Sequence, residues 1–268
     1  MAPTKLQSNY RNAQQEIIFH HSARSDMVPT CAENGIDMKH SIEAIIFDLD
    51  GTLLDTINDI ARSGNAVLAD WGCPVHSVET YTELVGDGLT NLARKVLPAS
   101  RRTPEEIEAF ISAFREKYQT RWNETSTAYA GISEMLTDLT KREISLAVLS
   151  NKREDFTQIC VSHFFPSVPF RQVRGERAGV PIKPNPRAAL EIAATMGVDP
   201  ARCLFVGDSE IDVKTGLLAG MTSVGVLWGF RSQAVLEEAG AHILISYPYQ
   251  LRDILEVEQT QRSHPHSA

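Results

Sequence analysis

Long apolar runs are missing from this chain. Nothing approaches the ~20 residues that a membrane-spanning helix requires, so a helical membrane anchor is not expected. Blocks of basic charge are missing too. Lys plus Arg total 26 against 34 Asp plus Glu, a net charge of −8. That balance removes the electrostatic footprint of a general nucleic-acid binder and disfavours docking on anionic membranes. Cysteine is scarce: the four residues Cys31, Cys73, Cys160 and Cys203 form no C-x-x-C pair. Neither a zinc knuckle nor a disulfide framework fits, and reduced thiols in the cytoplasm are expected. Cys160 and His163 make a C-x-x-H, but no second half follows. What is present is an ordinary globular composition, 43% hydrophobic over 268 residues, enough for one large domain or two smaller ones.

Residues 1–40 mix Gln, Asn, Ser and His with scattered apolar residues and hold no period of 2 or 3.6. They lack a basic start followed by a long apolar stretch, so no secretory signal is read. A disordered extension is expected there, with Met27 or Met38 as alternative natural starts, and a polar tail is expected over 259–268. Between them, short apolar runs alternate with helical patterns. The runs lie at 44–47, 144–149, 203–206, 223–227 and 243–245, with a weaker one at 170–173. Their near-continuous Ile, Val and Phe content is that of strands buried on both faces. Helical patterns at 132–141, 155–164, 186–196, 211–219 and 233–239 complete a β-α-β rhythm. An α/β fold follows: a Rossmann-like parallel sheet with helices on both faces.

The first repeat is too long. Roughly 95 residues separate the first two strands, and helical patterns at 57–71, 78–84, 89–97 and 103–122 fill most of them. Thr103-Pro104-Glu105-Glu106 is a strong helix start: a capping residue, then proline, then acids near the positive end of the dipole. The expected division is an α/β core of 41–56 and 127–258 with a helical cap inserted at 57–126.

Asp48-Leu49-Asp50-Gly51-Thr52-Leu53-Leu54-Asp55 carries the main chemical signal. Two carboxylates stand at the carboxyl end of a buried strand, the edge where sites form in open α/β sheets. Spacing of two points them to the same side. Two such charges repel by about 4 kcal/mol at 4 Å in an effective dielectric of 20. The arrangement therefore calls for a cation, a shared proton or a nearby lysine. An EF-hand loop fails, because Leu53 falls where Gly is needed and Asp59 where Glu is needed.

This octapeptide resembles the first motif of the haloacid-dehalogenase-like hydrolases. Later segments resemble the remaining motifs in order. Ser150-Asn151-Lys152 ends the next core strand, Lys183-Pro184 precedes a helix, and Gly207-Asp208-Ser209-Glu210-Ile211-Asp212 follows the strand at 203–206. The resemblance implies an enzyme that forms an aspartyl-phosphate on Asp48. Mg²⁺ would be held by Asp48, the backbone carbonyl of Asp50, and Asp208, with Asp212 behind them. Asp50 would protonate the leaving alcohol and then activate water. Its presence separates this chain from the dehalogenase branch, which has no acid there. Ser150, Asn151, Gly51 and Thr52 would contact the phosphoryl group, and Lys183 would bridge it to Asp48.

Within the cap, Gly86-Asp87-Gly88 resembles the substrate loop of phosphoglycolate phosphatases, and Val226–Arg231, with Trp228 and Phe230, resembles their late loop. Against these stand an ordinary interhelical turn and plain core packing. Arg62 is expected on an exposed face. The partner implied is a small phosphorylated metabolite, with 2-phosphoglycolate the leading substrate; no nucleic acid or membrane is expected, and the chain would be a monomer or homodimer. A pyrophosphatase, a β-phosphoglucomutase and a non-catalytic phospho-ligand binding module are the alternatives. A phosphonoacetaldehyde hydrolase would need a cap lysine for a Schiff base. Lys95 is in the cap, but beside Arg94 and polar neighbours.

Overall fold

The computed structural model describes residues 41–263, with side chains through 256. The extension expected at 1–40 and the last five residues lie outside the described residues. β1 (Ala44–Phe47) and the two-residue β2 (Leu54–Asp55) lead into four helices, α1 (Ile57–Asp70), α2 (Val78–Leu84), α3 (Gly88–Val96) and α4 (Pro104–Arg121). The chain returns through β3 (Thr127–Ala128) and continues as α5 (Ile132–Lys141), β4 (Ser145–Arg153), α6 (Glu154–Phe164), β5 (Gln172–Glu176) and α7 (Arg187–Met196). It then runs through β6 (Cys203–Gly207), α8 (Glu210–Leu218), β7 (Thr222–Val226), α9 (Gln233–Glu238), β8 (Ile243–Ile245) and α10 (Gln250–Ser263). No helix among the described residues is long and apolar enough to cross a membrane.

The six long strands form one sheet in the order β5-β4-β1-β6-β7-β8, parallel throughout. β1 is central because its four residues are apolar and fully buried, so both its edges and both its faces can be covered. On one face Ile45, Phe47, Leu146 and Leu204 pack with Ile132 and Leu136 of α5 and Leu251 of α10. On the other, the small side chains Ala44 and Ala147 meet Ala188, Ala189 and Ala193 of α7. Full burial of a side chain such as Phe47 contributes about 2 kcal/mol. The chain leaves β1 toward β4 on one side and reaches β6 on the other, which opens a crevice at the carboxyl end of β1.

Two expectations shift. The edge strand forms at Gln172–Glu176 rather than 170–173. Phe170 instead turns back onto Phe165, with ring centroids 6.4 Å apart, and only one side of an edge strand must pair, so polar residues suffice there. The polar stretch expected from Gln259 is helical through Ser263, as the end of α10.

The cap helices enclose a cluster of their own, including Leu68, Tyr81, Leu92, Phe110 and Phe114. As expected, Thr103 caps α4: its hydroxyl accepts the Glu106 N–H at 3.3 Å, and Pro104 sits at the first helical position. Both passes of chain into the cap run side by side, β2 antiparallel to β3. Asp59, in the first turn of α1, is fully buried. It accepts N–H and hydroxyl hydrogen bonds from Thr125 and Ser126 at 2.6–3.2 Å, which ties the two passes together a second time.

Candidate active site

Asp48 is the first residue after β1, and its N–H still donates to Val206 O at 2.9 Å, so the backbone is held by the sheet. The chain then folds over itself, with Leu53 N–H and Leu54 N–H both donating to Leu49 O. Gly51 takes φ +90° in this turn, and a Cβ there would lie 2.3 Å from Asp208 Oδ2. Only glycine fits that close approach. Gly229 is pressed as hard from the other side, its Cβ position 2.2 Å from Cβ of Asp208. Asp208, one residue beyond β6, accepts from Thr52 Oγ1 at 3.0 Å and from Phe230 N–H at 2.8 Å. Asp212 starts α8 in a reciprocal cap with Ser209: Ser209 N–H donates to Asp212 Oδ2 at 3.1 Å, and Asp212 N–H to Ser209 Oγ at 3.3 Å.

Lys183 lies at the bottom, 2% exposed. Its ammonium is 2.6 Å from Asp212 Oδ1 and 2.8 Å from Asp48 Oδ1. Burial disfavours that charge, but Asp212 and Asp48 overcome it and hold the ammonium well above its usual range. Burial lifts the Asp48 carboxyl well above its ordinary value; Asp212 adds to the rise and Lys183 opposes it. Asp208 is pushed up to about 7, by burial first and by Asp212 second.

Asp48, Asp208 and Asp212 offer carboxylate oxygens within 4.8 Å of one another. Three acids against one ammonium leave surplus negative charge in a buried space. Asp48 Oδ1, despite the nearby ammonium, has no aligned hydrogen bond. An all-oxygen donor set with such a surplus fits a hard divalent cation. Asp50 stands outside this group, where Thr56 Oγ1 donates to its Oδ1 at 2.8 Å and Lys152 Nζ lies 2.8 and 3.0 Å from its two oxygens.

A cavity of about 100 Å³ opens above these groups, between core and cap. Asp48, Asp50, Ser150, Asn151, Gly86 and Gly88 all line it. Asn151 joins the two walls. Its Nδ2 donates to Gly86 O and to Lys183 O, each at 3.0 Å, and its Oδ1 accepts the Lys183 N–H at 2.8 Å. Arg231 also joins them: Nε pairs with Glu210 at 3.0 Å, while the guanidinium donates to the carbonyls of Val85, at 2.8 Å, and Thr82. Asp87 does not line the cavity; its carboxylate pairs with Lys95 at 3.8 Å. Trp228 donates from Nε1 to Thr52 O at 2.9 Å, and Phe230 packs on the cap cluster. Arg62 is half exposed and pairs with Glu124 at 2.7 Å. Cys160 is buried in the core, and His163 packs edge-on against Trp122.

Lys152, paired with Asp50, shows in the sequence only as the end of the Ser150-Asn151-Lys152 motif. Strand alternation could have found it, since it sits two residues from Ser150 on an extended segment. Thr56 carries no local signal, and Arg231 is visible only as the end of the late-loop segment, with no role attached.

A buried acid cluster at the carboxyl edge of a parallel sheet, under a helical cap inserted after the first strand, defines a capped hydrolase. The chain belongs to the haloacid dehalogenase-like hydrolases, whose sequence profile matches residues 45–226. It is 29% identical over 215 residues to phosphoglycolate phosphatase 1 of Pseudomonas aeruginosa, covering 79% of this chain and 78% of that one. It is 29% identical over 226 residues to the N-acetylmuramic acid 6-phosphate phosphatase of the same organism, covering 80% and 95%. The crystal structure of a predicted phosphoglycolate phosphatase from Haemophilus somnus superposes with a TM-score of 0.74 at 26% identity, covering 82% of this chain and all of that one.

Proposed function

We propose that this protein is a Mg²⁺-dependent phosphatase of the cytoplasm, monomeric or homodimeric, that hydrolyses a small phosphorylated metabolite, with 2-phosphoglycolate as the leading substrate. Residues 57–126 serve as the cap, and 41–56 with 127–258 as the catalytic core. The observation that carries the reading is buried Lys183, paired with both Asp48 and Asp212 beneath the cavity. The similarity to phosphoglycolate phosphatases over most of the chain supports the substrate class.

Mg²⁺, held by the carboxylates of Asp48 and Asp208 and the carbonyl of Asp50, with Asp212 behind them, would offset the charge of the phosphate dianion as it meets a carboxylate. Asp48 attacks phosphorus and the bond to the leaving alcohol breaks, which leaves an aspartyl-phosphate. Asp50 gives the alcohol oxygen its proton and then takes one from the water that hydrolyses the acyl-phosphate. Thr56 and Lys152 fix the Asp50 carboxylate at the cavity wall. Ser150 and the Asn151 backbone amide hydrogen-bond the transferring group, while Lys183 keeps Asp48 from being repelled. The cap excludes water from the phosphoryl group and reads the leaving group.

An aryl phosphate assayed with Mg²⁺ and again with EDTA tests this directly. Turnover should appear only with the metal, and Asp48→Asn should lower it by at least about 10⁴-fold with an unchanged melting curve. A wild-type chain that binds phosphorylated ligands but hydrolyses none would be a binding module instead.

A further inference from the structure

Among the described residues, one arginine of the cap lines the cavity without an ion pair. Arg115, on α4, lines the cavity, and its Nε is buried without a hydrogen-bond partner. It makes no ion pair with any described residue. Of the other cap arginines, Arg62 pairs with Glu124, Arg94 with Asn91, Arg101 with Glu106 and Arg102 with the carbonyl of Leu97, while Arg121 lies outside the cavity lining. The other basic groups of the cavity are also committed. Lys152 has Asp50, and Arg153 has Asp155 on its own side and Glu176 opposite it on β5. A buried, unsatisfied donor on a charged group costs folding free energy and is retained where a ligand completes it.

Tyr118 stands three residues further along α4, on the same face. It is 4% exposed, and its hydroxyl has no hydrogen-bond partner. Its ring lines the cavity, with the ammonium of Lys152 4.9 Å from its centre, and stacks on Phe114 at 5.5 Å. Burial holds the phenol well above its usual range, so it keeps its proton and can donate. The cap thus brings a planar cationic fork and a phenol to the cavity beside Phe114 and Leu92, with Phe156 of α6 completing the apolar lining. The phosphoryl group has its own donors below, at Ser150 and Lys183. What the upper wall complements is a second, planar anion on the far end of the substrate.

We propose that Arg115 and Tyr118 bind a carboxylate on the leaving group and so select phosphate esters of small hydroxy acids. The proposal rests on the phosphatase reading above and names the residues that would set its substrate.

The test compares 2-phosphoglycolate with ethyl phosphate, which keeps the ester and lacks the carboxylate. The wild type should prefer 2-phosphoglycolate. Arg115→Met should lower kcat/KM for it about 100-fold, mainly through KM, and change ethyl phosphate less than about threefold. Arg115→Lys should recover part of the loss, and Tyr118→Phe should lose about fivefold on 2-phosphoglycolate alone. Equal losses on both esters, or no loss on 2-phosphoglycolate, would overturn the role of Arg115 and leave the phosphatase reading standing. So would a wild type that shows no preference for the acid. A wild type that hydrolyses neither ester would overturn the role of Arg115, and the phosphatase reading falls with it only if an aryl phosphate with Mg²⁺ also gives no turnover.

Discussion

The core and the cap spend their polar groups in opposite ways. In the core, Asp208, Asp212, Lys183 and Asn151 are bound to one another or to the backbone, and glycines at 51 and 229 admit no side chain that could loosen them. In the cap, the cavity wall presents Arg115 and Tyr118 with donors to spare, whereas the unpartnered atoms of the core are acceptors, on Asp48 and Asp55. On the proposed function, the difference follows from what each region would do. Phosphoryl transfer needs fixed charges at fixed positions, which a parallel sheet supplies through strand ends locked by neighbouring strands. Selection needs groups that remain incomplete until a ligand arrives. Four helices around a separate apolar cluster can carry such groups without disturbing the sheet.

The contrast can be attacked from its strongest point. Lys183→Met would remove the cation shared by Asp48 and Asp212 and leave buried acids facing each other. A loss of about 3–5 kcal/mol of stability is expected in urea unfolding, together with loss of turnover on every phosphate ester. A variant that stays as stable as the wild type would show that the core tolerates an uncompensated acid cluster, and the contrast would fail.

The base of the cap should respond less. Asp59→Asn keeps the shape but turns amide donors toward the N–H and hydroxyl donors of Thr125 and Ser126. A cost of about 2–3 kcal/mol is expected, without a change of substrate preference. The cost should depend on pH. Burial pushes the Asp59 carboxyl up, but the hydrogen bonds from Thr125 and Ser126 win and hold it below its usual range. A depressed carboxyl contributes stability above its unfolded pKa and loses it as pH falls through the folded one. The gap in urea midpoint between wild type and variant should therefore be widest near about pH 7 and narrow toward about pH 3. A gap that stays constant would mean that the ionised form of Asp59 is not what ties the two passes together.

The smallest effect is expected at Asp87. Its pair with Lys95 spans 3.8 Å between side chains that are 37% and 42% exposed. Asp87→Asn should shift stability by less than about 0.5 kcal/mol. With its carboxylate outside the cavity, it should leave kcat/KM for 2-phosphoglycolate within about twofold. A large kinetic loss would place the selective contact on this loop rather than on α4.

The parts of the site legible in the sequence are those whose chemistry sits beside a strong local pattern. Asp48 and Asp50 stand out because they end an apolar strand, and Asp208 because it follows another. The cap is legible as helices, and Thr103 even as the residue that starts one. What could not be read are contacts made across the fold. Asp59 looks like an ordinary acid in a first helical turn, and its partners are 66 and 67 residues away. Arg115 and Tyr118 sit on a helix whose apolar residues face both the cap cluster and the cavity, so no periodicity separates core positions from lining ones. The edge strand slipped for a related reason: Phe170 marks packing beneath the sheet, whereas the strand beside it is set by pairing with β4.

Asn151 has three hydrogen-bonding atoms on its amide, and each is spoken for: two by the backbone of Lys183 and one hydrogen by Gly86 of the cap. The two bonds to Lys183 stay within the core and the third crosses to the cap loop, so the residue that steadies the lysine backbone is also the one that the cap loop touches. One amide thus serves as a shared fastening between a loop of the helical insert and the backbone beneath the acid cluster.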